Sequence, residues 1–191
     1  MRSPRSLFLR EGRVCPWWLV YTFDNPLRRL LHDPSAVLAG LVSEGMTVAD
    51  IGCGRGYFSI AMAGMVGSAG KVIAVDVQQE MLDMTLKRAT RAGVAQRVHP
   101  VLAAPDDIGV HGPVDFVLAF WMAHEVENTA RFFAQASAVL KARGKMLVAE
   151  PKMHVGKRTF QEILQSARDA GFRDSEAPAI RLSRAMVLER S

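Results

Sequence analysis

The sequence predicts an α/β fold: a doubly wound, mostly parallel sheet with helices on both faces. Three observations carry that expectation. Residues 48–58, VADIGCGRGYF, read as a buried strand, a glycine turn and the start of a helix. Residues 71–77, KVIAVDV, form a nearly unbroken apolar run rich in β-branched side chains, the pattern of a strand buried on both faces. Strand-like and helix-like segments then alternate to the C-terminus, which calls for right-handed crossovers between parallel strands.

The elements follow in order. Asp33-Pro34 is a helix start, with Asp as N-cap and Pro at the first helical position. That helix is expected to run to about Ser43 and to end at Gly45. The first strand spans Thr47 to Ile51, and a helix from Tyr57 to Val66 stops at Gly67. After the second strand, a helix from Gln79 to Ala92 closes at Gly93. Arg97 to Leu102 reads as the third strand, and Pro100 within it predicts an edge position or a bulge. VDFVLAFW, 114–121, is the fourth strand, followed by a helix from Asn128 to Leu140. KMLVAE, 145–150, is the fifth strand, and a helix from Thr159 to Ala170 ends at Gly171. Two short strands complete the chain, the last near Arg184 to Glu189.

The glycine turn carries the chemistry. Gly52 and Gly54 allow the backbone to approach a ligand where a Cβ would clash. A dinucleotide fingerprint needs a third glycine at the position held here by Tyr57. Asp50, just before the turn, would repel a pyrophosphate but suits a cationic ligand. S-adenosylmethionine has a sulfonium, an ammonium and no phosphate. Asp76, at the end of the second strand and roughly 20 residues past the glycines, is placed to accept ribose hydroxyls.

An acid at each of two strand ends, with G-x-G between them, resembles the class I S-adenosylmethionine-dependent methyltransferases. The resemblance runs from about Asp33 to the C-terminus and is nearest to the small-molecule enzymes of the ubiquinone/menaquinone-biosynthesis type. It implies a Rossmann-like sheet with an antiparallel last strand, S-adenosylmethionine as cofactor, and methyl transfer to a small molecule by in-line displacement, with no metal. It also implies that Gly52 and Gly54 approach the methionine part, that Asp50 orders the turn or meets the amino group through water, and that Val77 lies against the adenine. The family usually places an acid after the third strand. Here that position falls near Ala104, and either Asp106 or Asp107 from a displaced loop, or a backbone-only adenine site lined by Ala103 and Ala104, takes its place. A nicotinamide-dependent oxidoreductase and a non-catalytic S-adenosylmethionine-binding regulator are the rival readings.

The same resemblance implies that the remaining strand ends supply the acceptor side. Phe120 and Trp121 put two large rings where the fourth strand hands over to its loop. Either can wall the sulfonium by cation–π attraction or a flat acceptor, and strand alternation predicts one ring on each face. His124, just beyond, is a candidate base because imidazole titrates near neutrality. Glu150 ends the fifth strand and is a candidate to hold an acceptor hydroxyl or to pair with Lys152; His154 follows in the loop. Before the first strand, residues 15–31 hold Trp17, Trp18, Tyr21 and Phe23. This aromatic segment reads as a lid over the acceptor, with Trp17 and Trp18 against it and Tyr21 assisting deprotonation. The alternatives are an arm packed on the sheet or a contact with a second copy of the chain.

Composition sets the outer bounds. The chain has 191 residues, 49% of them hydrophobic, enough for a single domain with a full core. It contains no apolar run near the roughly 18 residues of a membrane span. Cys15 and Cys53 are the only cysteines, too few for a disulfide framework or zinc site, and a reducing cytoplasmic setting fits them. The net charge is +5, and residues 1–13 hold four arginines against one glutamate. The basic character therefore belongs mainly to a tail, residues 1–14, read as flexible, ahead of one domain over 15–191. Nucleic acid is not the expected partner, because no aromatic-basic interleaving continues into the domain.

Overall fold

The computed structural model describes residues 31–104 and 107–191. The expected tail and lid, including Trp17, Trp18 and Tyr21, lie outside the described residues except for Leu31; Asp106 lies outside them too. Twelve elements form the framework: α1 (Pro34–Val37), β1 (Thr47–Ile51), α2 (Tyr57–Met65), β2 (Lys71–Asp76), α3 (Gln79–Arg91), β3 (Val98–Leu102), β4 (Val114–Phe120), α4 (Thr129–Val139), β5 (Leu140–Pro151), α5 (Lys157–Asp169), β6 (Phe172–Glu176) and β7 (Ser183–Arg190).

The seven strands order as β3-β2-β1-β4-β5-β7-β6. The first five run parallel, and β7 inserts antiparallel between β5 and β6. The order reverses direction beside β1, so the β1–β4 gap is the switch point at which such sheets bind ligands. Pro100 sits on β3, an edge strand, where its missing N–H costs no ladder bond on the open side.

Period-two alternation sorts each central strand onto two faces. Val48, Val72, Val98, Phe116, Leu118 and Leu147 pack with Phe58 and Met62 of α2 and Leu82 and Ala89 of α3. Ala49, Ile73, Val75, Val117, Ala119, Met146 and Val148 pack with Phe132 and Phe133 of α4 and Leu164 of α5. Both faces are buried, which is why these strands read as continuous apolar runs. Among the described residues no helix is long and apolar enough to cross a membrane.

Two expectations need correction. The helix capped by Asp33 is one turn long, not ten residues. The cap forms as expected, Asp33 Oδ1 accepting from Ser35 N at 3.1 Å. The chain then leaves the helix through a turn in which Gly40 adopts a φ of +71°. The second concerns the rings at the end of β4. They do not face opposite ways: Phe120 and Trp121 stack, with centroids 5.7 Å apart and planes at 26°. Trp121 has a φ of +60°, which ends the extended backbone and breaks the alternation.

Candidate active site

The turn after β1 is held by β2 and α3 as well as by its own Gly56 N–H to Cys53 O bond of 2.9 Å. Gly52 N and Cys53 N both donate to Val75 O at 2.9 Å. Gly54 N donates to Asp76 Oδ2 at 2.9 Å, and Thr85 Oγ1 donates to Gly54 O at 3.0 Å. Gly52 and Gly54 hold φ values of +72° and +52°. Their surroundings differ. A Cβ on Gly52 would come within 2.9 Å of the Met122 side chain, whereas a Cβ on Gly54 would meet nothing within 4 Å. Gly52 is thus required by packing, and Gly54 keeps its backbone open to a ligand.

A cavity of about 350 Å³ opens at the carboxyl ends of the strands. Gly52, Gly54, Asp76 and Val77 border it on one side; Phe120, Trp121, Met122, His124, Met153 and His154 border it on the other. Asp76 is 8% exposed, and its second oxygen accepts from Gln78 N at 3.0 Å. Burial pushes its carboxyl above the ordinary value, with the backbone donors of Gln78, Gly54 and Val77 opposing that rise. Burial, followed by the charges of Asp50 and Asp76, also pushes the Cys53 thiol well up, so this cysteine is a packed apolar group rather than a nucleophile.

Two carboxylates lie off the cavity wall. Asp50 is 3% exposed and accepts a hydrogen bond from Ser59 Oγ, on the first turn of α2. Of its two expected roles, ordering the strand–turn–helix unit is the one this geometry serves. Glu150 is fully buried. Its Oε1 accepts from Ala123 N at 2.8 Å, and its Oε2 takes His124 Nδ1. The expectation that Glu150 grips an acceptor hydroxyl or pairs with Lys152 is corrected on that ground: its side chain points into the β4–β5 seam, and His124 stands at the cavity in its place.

On the adenine side, Ala104 is exposed and pairs with Asp107 in an isolated bridge, while Ala103 borders the cavity. Of the two alanines expected to line this side, Ala103 borders the cavity and Ala104 does not. Asp107 turns away, its Oδ1 accepting from Gly109 N at 2.8 Å. His154 is exposed at the rim, its ring centroid 6.3 Å from that of His124. Trp121 Nε1 donates to Ser183 Oγ at 2.8 Å, and its ring meets His32 edge-on at 4.9 Å. Sequence reasoning missed Met81, Ile108, Met122, Phe132 and Met153 as cavity residues. No local motif marks them; they come from five different segments.

These residues fit S-adenosylmethionine. Gly54 offers open backbone and an acid at the end of β2 faces the same space, and among the described residues that line the cavity Arg55 is the only arginine or lysine. A family model for the methyltransferase domain matches residues 42–177. The chain belongs to that methyltransferase family. It is 34% identical over 142 residues to a protein-L-isoaspartate O-methyltransferase of Methanococcoides burtonii, covering 68% of this chain and 66% of that one. It is 32% identical over 147 residues to a ubiquinone biosynthesis O-methyltransferase of Caulobacter vibrioides, covering 77% and 56%. The chain thus spans about half to two thirds of the length of these curated relatives. The crystal structure of an S-adenosylmethionine-dependent methyltransferase from Aquifex aeolicus superposes with a TM-score of 0.83 at 24% identity, over 93% of this chain and 100% of that one. The methyltransferase domain uses S-adenosylmethionine, and the nicotinamide reading falls with that assignment.

Proposed function

We propose that this domain transfers the methyl group of S-adenosylmethionine to a small-molecule acceptor. One observation carries the reading: a single cavity reaches from the glycine turn and Asp76 to Trp121, His124 and His154. Its volume of about 350 Å³ lies in the range of small-ligand sites, roughly 300 to 1,000 Å³. When bound, S-adenosylmethionine supplies a methyl group on a positively charged sulfur, an electrophile that needs no metal to activate it.

The chain's own residues then bind and orient. Gly52 and Gly54 bring backbone close to the donor, and Asp76 offers the remaining lone pairs of its two oxygens to ribose hydroxyls. Val77 and Ala103 form an apolar wall on the adenine side. Phe120 and Trp121, stacked and buried or partly buried, exclude water beside the reactive methyl. Holding donor and acceptor in line supplies several kcal/mol of the barrier, on the order of 7 to 11 in well-oriented systems. Relatives named for protein substrates mark the rival acceptor class. Here the acceptor wall is a lined recess, which favours a small molecule.

Methyl-labelled S-adenosylmethionine, offered with small-molecule and peptide acceptor panels, tests the reading. Transfer to small molecules is expected. Label passing only to peptides would replace the acceptor class, and donor binding without transfer to any acceptor would favour the regulatory reading.

A further inference from the structure

We propose that Glu150 acts through His124 to set that ring's tautomer, making Nε2 a proton acceptor at the cavity, and hence that the methyl acceptor is a group that must lose a proton, with a hydroxyl as the case tested. This rests on the methyl-transfer reading and deepens it.

The geometry is specific. Glu150 is fully buried at the end of β5, yet neither of its oxygens is left over. Oε1 is held by Ala123 N at 2.8 Å, which fixes the carboxylate plane and shapes the turn at Ala123–Glu125. Oε2 meets His124 Nδ1. An ionised carboxylate is an acceptor only, so opposite one a neutral ring carries its proton on Nδ1 and leaves Nε2 as the basic nitrogen. The ring borders the cavity with its side chain 18% exposed. Nε2 lies 4.0 Å from Glu125 Oε1, so a proton arriving there is received between two carboxylates. The site is built to take up a proton and to stabilise the imidazolium that results.

A methyl acceptor that carries no proton would have no use for this. A tertiary amine or a thioether transfers nothing to a base. For a hydroxyl, the atoms and charges balance. The oxygen–methyl bond forms as the sulfur–methyl bond breaks, and that bonding pair leaves with sulfur. The hydroxyl proton passes to Nε2 of His124 and then to water.

Glu150→Gln tests the positioning role sharply. The Gln oxygen must stay on Ala123 N–H, which leaves its NH₂ facing Nδ1. Nδ1 then has to accept, and the proton moves to Nε2. In the full-length protein with ¹⁵N-labelled histidine and bound S-adenosylhomocysteine, nitrogen-detected correlation spectra report the tautomer directly; loss of a signal in His124→Ala assigns the ring. The expected result is protonated Nδ1 in the wild type and protonated Nε2 in Glu150→Gln. A wild-type ring protonated at Nε2 alone overturns the proposal even if the variant does not fold, and so does an unchanged tautomer in a folded variant.

Turnover supplies the second arm. Methyl-labelled donor is offered with phenols and catechols as one set and with tertiary amines and thioethers as the other. The expectation is transfer to the hydroxyl set alone, reduced about a hundredfold or more in kcat by Glu150→Gln, with S-adenosylhomocysteine affinity retained. Transfer to the proton-free set overturns the acceptor assignment. No transfer to either set, with donor bound and the expected tautomers observed, overturns the hydroxyl assignment and leaves the positioning of His124 by Glu150 established; the methyl-transfer reading falls only if the wider acceptor panels also stay unlabelled.

Discussion

The two halves of the cavity are made in different ways. The half beside β1 and β2 is local and largely backbone: two glycines in left-handed conformations and an acid that accepts from Gly54 N–H. The half beside β4 and β5 is side chain and long-range. His124 takes its orientation from Glu150, 26 residues away, and Trp121 from Ser183, 62 residues away. A site for a constant ligand can be written into one short motif. A site for a variable acceptor can be altered one side chain at a time without disturbing that motif, because its parts come from separate segments.

The sharpest way to break this comparison is His124→Ala. Turnover is expected to fall by about a hundredfold to ten-thousandfold, with calorimetric affinity for S-adenosylhomocysteine little changed. Retained turnover together with lost donor binding would mean that the halves are assigned the wrong way round.

Asp76→Ala should do the reverse. Donor affinity is expected to weaken by about 1.5 to 3 kcal/mol for each charged hydrogen bond lost. A folded variant, checked by circular dichroism, with unchanged affinity would place the ribose elsewhere.

The glycine pair separates packing from ligand approach within one turn. Gly52→Ala drives a Cβ into Met122 at a strained φ and should cost about 1 to 3 kcal/mol in urea unfolding. Gly54→Ala meets open space, so only the backbone strain of about 1 to 2 kcal/mol remains. Its larger effect should appear in donor affinity. Equal loss of affinity in both variants at matched stability would erase the distinction.

The smallest effect is a pH dependence. Burial raises the folded-state pKa of Asp76, so folding favours its protonated form. That contribution to stability is complete below the unfolded value, about 3.9, and is lost as pH rises through the folded value. Ribose binding needs the ionised form and so should strengthen over the same rise. The difference in Tm between wild type and Asp76→Ala, followed alongside calorimetry across that acid range, should therefore move opposite to donor affinity. Parallel movement would contradict the burial account.

What could be read from residues follows the same division. The alternation of segments, the edge placement implied by Pro100 and the glycine–acid spacing all depend on interactions within about 30 residues, where period and turn chemistry leave a trace. Asp50 shows where local reading stops. Its place at the strand end and its two alternative uses were legible, but the choice between them was not, because Ser59 meets it only once α2 is docked. Alternation failed at Trp121 because a single positive φ re-aims a side chain, and a tryptophan gives no notice of one.

The sequence by itself determined the sheet, the crossovers and the donor half, since each follows from hydrophobic period, glycine turns and the spacing of two acids. Only the tertiary structure decided which side chains line the cavity beside β4 and β5. Glu150 became a buried brace rather than a contact because β5 lies parallel beside β4, delivering its carboxylate beneath the turn that carries His124. That outcome depends on strand order and register, which no short stretch of residues encodes.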